Sequence, residues 1–189
     1  SPWTVQVKLH DGTTQTLNTR SIVIAAGASP MVLPVPGLKE IGCLNSDTVW
    51  GLQHLPERLV VLGGGPIGSE LAQSFARLGS HVTQVEMLPR LMVREDPEVS
   101  ELVAASLRED GVAVLTGHQA VRVEQVDGEK RLVATHQGRE VVIAFDELLC
   151  AVGRSPRVTG YGLEELGIPL TPRKTIETNA YLQTLYPNI

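Results

Sequence analysis

The chain has 189 residues, 42% of them apolar and 20% charged, ordinary globular proportions that exclude a disordered, collagen-like or coiled-coil protein. Its 16 Lys and Arg stand against 21 Asp and Glu, a formal net charge of −5, so no sequence-wide positive field exists to hold a phosphate backbone and nucleic acid is not an expected partner. No apolar run approaches the ~20 residues that span a bilayer, and Ser1-Pro2-Trp3-Thr4 does not lead a basic segment into an apolar one, so a soluble, cytoplasmic protein with no membrane association is expected.

The chain opens on the alternation Val5, Val7, Leu9, meets Asp11-Gly12 and resumes over Thr14 to Leu17, the pattern of a hairpin with one buried face. Ser21 to Gly27 is a short continuous apolar run, expected as a strand buried on both faces, and it feeds an irregular segment containing Pro30, Pro34, Pro36 and Gly37. Ser46-Asp47 is placed to cap a short helix running through Gln53. After Pro56, Leu59 to Leu62 is too short for a helix and rich in β-branched residues, as a central parallel strand is.

Gly63 to Gly68 then open a helix whose Ile67, Leu71, Phe75 and Leu78 share a face, closed by Gly79. His81 to Glu86 reads as the next strand. Asp96-Pro97 supplies an N-cap and a first-turn proline for a second helix, with Val99, Leu102, Val103 and Leu107 on one face up to Gly111. Val112 to Phe145 breaks at Asp127-Gly128 and Gln137-Gly138 and is expected to be an antiparallel meander inserted before the next parallel strand, Leu148 to Val152. Arg157 to Ile189 shows weak periodicity and several breakers, so little regular structure is expected there. The fold class is therefore α/β, a Rossmann-type parallel sheet with an inserted antiparallel β-meander and flanking segments at either end.

The chemistry lies in Gly63-x-Gly65-x-x-Gly68, which follows a strand, opens a helix and precedes Glu86 at the end of the second strand by 18 residues from Gly68. Gly63 permits the tight turn, Gly65 lets backbone approach a pyrophosphate, and Gly68 lets the helix lie close on the strand. The helix start, with Pro66 and Ile67, would hold the phosphates on its free N–H groups, while Glu86 and its neighbour Met87 would meet the adenosine ribose. Cofactor binding is accordingly assigned to Gly63, Gly65, Pro66, Ile67, Gly68, Glu86 and Met87, and with them Arg90 and Gly153, each of which also has a plain structural reading. NAD is expected, with NADP less favoured because Glu86 would repel a 2′-phosphate. Arg90 is either a contact to the adenine or a phosphate, or a solvated cation. Gly153, at the end of the last parallel strand, is either a ligand contact or a strand terminator.

No Ser or Cys has a base that can be placed beside it, and the five His show no metal-ligand spacing, so neither catalytic nor metal residues are assigned. Cys43 and Cys150, 107 positions apart, have neither disulfide-framework nor zinc spacing; Cys150 reads as a packed thiol, and no redox partner is assigned to either.

Four stretches in order, Thr19 to Pro30, Pro34-Val35-Pro36-Gly37, Leu55 to Ala72 and Ala151 to Pro156, resemble the FAD-dependent pyridine nucleotide-disulfide oxidoreductases, above all mercuric reductase-like and dihydrolipoamide dehydrogenase-like members. The resemblance implies an FAD-domain segment over residues 1–55, an NAD-binding domain over 56–152 and a return toward the FAD domain over 153–189. It also implies a longer parent protein that passes hydride from NADH to FAD and on to a disulfide or metal acceptor, and that dimerises through a domain absent here; the 189 residues alone would then be inactive. Glu70, inside the helix, is implied near the nicotinamide end, or is simply a favourable first-turn acid. Ala26 and Pro66 depart from the family pattern, which often has Thr at the first position and in some members an aromatic gate at the second. A non-catalytic dinucleotide sensor is the alternative of a different class; a methyltransferase is disfavoured by the second glycine motif at Gly153-Arg154.

Overall fold

Alternation along one strand organises the molecule. In a computed structural model, which describes all 189 residues, Leu59 and Val61 point to one side of a sheet and Val60 and Leu62 to the other, and all four are buried. Only a strand covered on both faces needs such a run.

In chain order the strands are β1 (Thr4–Lys8), β2 (Thr14–Asn18), β3 (Ala28–Pro30), β4 (Arg58–Leu62), β5 (His81–Glu86), β6 (Ala113–Thr116), β7 (Gln119–Val126), β8 (Glu129–His136), β9 (Arg139–Phe145), β10 (Glu147–Cys150) and β11 (Arg154–Pro156). The helices are α1 (Leu38–Ile41), α2 (Pro66–Leu78) and α3 (Pro97–Glu109). The chain divides into two compact units, residues 30–154 and residues 1–29 with 155–189. No helix is long and apolar enough to cross a membrane.

The larger unit has three layers. Its middle is a parallel sheet in the order β10-β4-β5-β6. Helices α2 and α3 cover one face through Leu59, Val61, Ala72, Val82, Ala104, Leu107 and Leu149. The antiparallel meander β7-β8-β9, with Leu38 of α1, covers the other through Val60, Leu62, Val85, Val123, Leu132, Phe145 and Leu148. Both meander turns put two consecutive residues at positive φ, Asp127 (52°) with Gly128 (86°) and Gln137 (51°) with Gly138 (76°), as tight two-residue hairpins require.

Several expectations change in detail. Ala113–Thr116 is not part of the meander but the fourth parallel strand, paired with β5; a short edge strand and a meander strand carry the same apolar pattern. On α2 the buried residues are Gly68, Ser69 and Ala72, while Leu71 and Phe75 flank them and Leu78 is 68% exposed. The helix lies so close to the sheet that small residues face it. On α3, Ser100, Ala104 and Leu107 are buried and Leu102 is 71% exposed. The helix over 46–53 is a 3-10 turn at Val49–Gly51, preceded by a turn in which Asn45 Oδ1 accepts from the N–H groups of Asp47 and Thr48.

The larger unit also begins well before residue 56. Leu38 is 1% exposed in the meander-side core, and Leu44 bridges Leu149 in parallel register, with Leu44 N–H donating to Leu148 O and Cys150 N–H to Leu44 O. Residues 30–55 therefore pack as part of the sheet unit.

The smaller unit contains the β1–β2 hairpin, whose second strand is exposed throughout, so the expected buried face is absent. Residues 21–27 form no strand: Ile22 N–H donates to Asn188 O, and Val23 is 87% exposed. A central strand exists only where partners flank it, and apolar composition alone does not supply them. Leu163, Ile168 and Ile189 are buried here against Ile22, Ile24, Leu166, Ile176 and Tyr186. Beyond β11 the chain makes no further helix or strand, in keeping with its breakers.

Candidate functional site

Strand order locates the site. β4 continues to β5 and β6 on one side and pairs with β10 on the other, so the connections diverge at the carboxyl end of β4, where open parallel sheets bind ligands. A cleft of about 930 Å³ lies there, within the ~300–1,000 Å³ of small-molecule sites. All four strand ends contribute: Leu62 to Ile67 after β4, Val85 to Leu88 after β5, His118 to Ala120 after β6, and Ala151 to Arg154 after β10. Residues of the larger unit between Met31 and Val35 and between Arg90 and Glu95 complete the wall.

The glycine turn follows from contacts at each position. Gly63 has φ +112°, and a Cβ on it would meet Ala151 O at 2.5 Å and Ala151 C at 2.8 Å. On Gly68 a Cβ would run into the carbonyl oxygen of Gly63, so only glycine lets the first turn of α2 sit on the strand end. Gly65, the N-cap residue, has ordinary extended backbone, and nothing lies within 4 Å of the place a Cβ would take. Its open side is the cleft. Pro66 occupies the first helical position, and the N–H groups of Ile67 and Gly68 just behind it have no carbonyl a turn earlier to bind. The arrangement leaves donors and a positive helix end facing a cradle that a methyl group would fill, which fits a phosphate.

Glu86 is built into this turn. Its Oε2 accepts from Gly64 N–H at 2.5 Å and its Oε1 from Leu88 N–H at 2.7 Å. Each carboxylate oxygen keeps a second acceptor direction, so ribose hydroxyls remain acceptable partners. Gly64, given no task by the sequence motif, is enclosed: a Cβ there would meet Leu91 Cδ2 at 2.7 Å and Glu86 Cγ at 2.9 Å, and its carbonyl accepts from Met92 N–H at 2.7 Å. Below the turn, fully buried Gln84 donates through Nε2 to Gly63 O (2.9 Å) and Ser69 Oγ (3.2 Å), tying β5 to the turn and to α2, while its Oε1 is buried without a partner.

Gly63, Gly65, Pro66, Ile67, Glu86, Met87, Arg90 and Gly153 all line the cleft. Gly68 is buried beneath it. Glu70 is not on its wall; it is exposed and borders a separate hollow of about 180 Å³ with Gln73 and Val103. Arg90 donates through Nη1 to Glu95 O and Ser100 Oγ and through Nη2 to Val93 O, at 2.6–3.0 Å, so its guanidinium fastens the 93–95 loop to α3. Arg154 donates to Ser46 Oγ at 2.7 Å and Asp47 Oδ1 at 3.1 Å, holding the 45–48 turn beside β10. Arg94 also lines the cleft, and its position in an irregular loop gave no signal in the sequence.

Two pairs distant in sequence are adjacent in space. Cys43 lies against Cys150, so the two thiols are neighbours after all; burial and the neighbouring Cys150 push the Cys43 thiol up from its ordinary value. Cys150 is 1% exposed, and both are free thiols. His118 and His136 stack with ring centroids 4.2 Å apart and planes 10° from parallel.

The family model for pyridine nucleotide-disulphide oxidoreductases matches residues 3–189. A mercuric reductase of Staphylococcus aureus is 38% identical over 170 residues, 90% of this chain and 31% of the relative. A dihydrolipoyl dehydrogenase of Bacillus subtilis strain 168 is 39% identical over 168 residues, 89% of this chain and 36% of the relative. The Cu(II) complex of the HOCl-induced flavoprotein disulfide reductase RclA from Escherichia coli superimposes with a TM-score of 0.84 at 30% identity, over 100% of this chain and 42% of that one. The chain thus spans about a third of the length of the curated relatives it matches.

Proposed function

The chain belongs to the pyridine nucleotide-disulphide oxidoreductases, and from that premise we propose that its larger unit is the domain that binds NAD(H) for a flavin-dependent oxidoreductase. The observation that carries the reading is the cradle at Gly65: space for a phosphate in front of two first-turn N–H groups, at the carboxyl end of the strand where the sheet connections diverge. Ile67 and Gly68 would bind the pyrophosphate, Glu86 the adenosine ribose, and Met87 the neighbouring surface. Gly153 and Val152, across the cleft after β10, would border the nicotinamide half.

Bound nicotinamide supplies a hydride, and FAD in the whole protein would receive it and pass electrons to a disulfide or metal acceptor. This chain's share is to bind and orient: the buried Gln84 and the Glu86 carboxylate fix the turn, and Met31, Leu33 and Val35 give the cleft an apolar wall. Glu70 lies outside the cleft wall and beyond the first turn of α2, which holds no acid, so it is read as an exposed helical carboxylate and neither as a first-turn acid nor as a nicotinamide contact. NADH is preferred over NADPH, because a 2′-phosphate would meet the Glu86 carboxylate. Two free thiols fit a reducing cytoplasm, and dimerisation is assigned to parts of the family's proteins beyond the matched third.

Calorimetric titration of the chain with NADH tests the binding step. Saturable binding is expected, and an absence of heat up to millimolar NADH would remove the proposal. For the redox step, the full-length protein is expected to retain a flavin that NADH bleaches; a protein without flavin, or one indifferent to NADH, contradicts it.

A further inference from the structure

All three methionines of the chain, Met31, Met87 and Met92, line the cleft. A thioether is a flexible apolar group that a two-electron oxidant converts into a polar sulfoxide. Met31 is 45% exposed and Met87 61%, so a small oxidant in water reaches both side chains. Met92 is less open, and its backbone, at φ +48°, is held by the bond from its N–H to Gly64 O. Met31 differs from Met87 in what surrounds it. Its N–H donates to Gly153 O at 2.9 Å, and its carbonyl oxygen accepts from the Cys150 thiol at 3.5 Å, so its backbone is tied to the end of β10 on both sides. Its sulfur lies 3.7 Å from the place a Cβ on Gly153 would take, and Gly153 is itself part of the cleft. The side chain therefore stands against the cleft wall, with the apolar Leu33 and Val35 following it along the chain.

We propose that Met31 is an oxidation site whose sulfoxide weakens binding of the dinucleotide, the oxidant being a hydroperoxide. A lone pair on Sδ attacks the terminal peroxide oxygen, and the S–O bond forms as the O–O bond breaks. The sulfur gives up two electrons to the peroxide. The proton on the transferred oxygen passes to the departing one, which leaves as water or an alcohol. The wall then carries a strong acceptor beside Gly153 where it carried only a thioether. A ligand lying on this wall would cover that oxygen among apolar side chains that have no donor to offer it, and an acceptor buried without a partner disfavours the covered state. At Met87, the more exposed of the two, a sulfoxide keeps its oxygen in water. The inference rests on the reading of the cleft as a dinucleotide site.

The test treats the chain with hydrogen peroxide, removes the oxidant and titrates with NADH, while peptide mass spectrometry reads which methionines have gained oxygen. The unchanged chain, Met31→Leu and Met87→Leu are each compared with their own untreated form. Oxidation should weaken NADH about tenfold in the unchanged chain and in Met87→Leu, and by less than about twofold in Met31→Leu. Dithiothreitol, which reduces oxidised Cys43 or Cys150, should not restore the affinity, whereas methionine sulfoxide reductases A and B together should. Saturating NADH present during the treatment should slow oxygen uptake at Met31. Full oxidation of Met31 with unchanged affinity overturns the proposal, as does a loss that persists in Met31→Leu or that dithiothreitol reverses. A Met31 that stays unoxidised while Met87 takes up oxygen overturns it as well. Failure of the untreated chain to bind NADH overturns the dinucleotide reading itself, a result distinct from these.

Discussion

Gly63 and Gly65 stand two residues apart in one motif, yet substituting each with Ala should damage different properties. In Gly63→Ala the residue would be forced to φ +112°, with its Cβ 2.5 Å from Ala151 O and 2.8 Å from Ala151 C, both backbone atoms at the end of β10 that cannot rotate away. A positive φ costs a non-glycine residue about 1–2 kcal/mol, and overpacking against fixed backbone about 1–3 kcal/mol, so roughly 3 kcal/mol is expected in all. For a chain of this size each kcal/mol moves Tm by about 2–4 °C, giving a fall of roughly 6–12 °C. Gly65→Ala keeps an ordinary backbone, φ −80°, with nothing within 4 Å of the new Cβ, and loses only the preference for Gly over Ala at an N-cap, about 1 kcal/mol or less. Its methyl group would fill the phosphate cradle. Losing one charge-assisted hydrogen bond costs about 1.5–3 kcal/mol, so NADH affinity should fall about tenfold to a hundredfold. Thermal unfolding and NADH titration on both variants separate the effects. Undiminished NADH affinity in Gly65→Ala would mean the phosphates bind elsewhere, and an unchanged Tm in Gly63→Ala would refute the geometry of the turn.

Glu86→Ala should lower NADH affinity and abolish the NADH preference, expected at about tenfold to a hundredfold before substitution; it should also loosen the turn, since Gly64 N–H and Leu88 N–H lose their acceptor. Paired NADH and NADPH titrations check this, and equal affinities in the unchanged chain would remove Glu86 from the ribose. Limited proteolysis with mass spectrometry of the products should show first cuts within residues 1–29 and 157–189, where Val23, Tyr181 and Leu182 are more than three-quarters exposed and long stretches have no strand or helix; first cuts between Leu59 and Val152 would contradict the division into units. Asp146 is held below the usual carboxylate range by the Arg58 guanidinium, and its Oδ2 also accepts from Arg58 N–H at 2.7 Å. A depressed folded value stabilises the chain above the unfolded Asp pKa of about 3.9, and the contribution disappears as pH falls through the lower folded value. Asp146→Asn should therefore lower the urea midpoint at pH 7 and converge with the unchanged chain toward pH 2, and a difference independent of pH would refute the pairing.

The parts of this fold that sequence made legible are those whose causes are local. Leu59 to Leu62, the glycine turn and the two proline-started helices each carry their own pattern of apolar spacing and backbone freedom. Where structure depends on what lies alongside, the pattern was insufficient. Ser21 to Gly27 has a strand's composition without flanking partners in this fold, and Ala113–Thr116 carries an edge strand's composition that also suits a meander. The same limit governs the cleft. Gly63, Gly65 and Glu86 belong to one motif whose spacing is visible along the chain, whereas Gly64 matters because Leu91 and Glu86 close over it, and Gln84 because a helix passes beneath the turn. His118 and His136 lie 18 positions apart on either side of a hairpin, and only the turn at Gly117 and the pairing of β7 with β8 bring them face to face.

The central claim, that a dinucleotide lies across the carboxyl ends of β4, β5, β6 and β10, is tested most directly by mapping backbone amide chemical shifts of the isotopically labelled chain during titration with NADH. Saturable shifts are expected around the cleft, in residues 63–68, 86–88, 117–120 and 151–154 and in the wall segments 31–35 and 90–95, with Ser80, Arg58 and Asp146 at the opposite ends of the strands unmoved. Shifts centred on those opposite ends, or no saturable shifts at all, would contradict it.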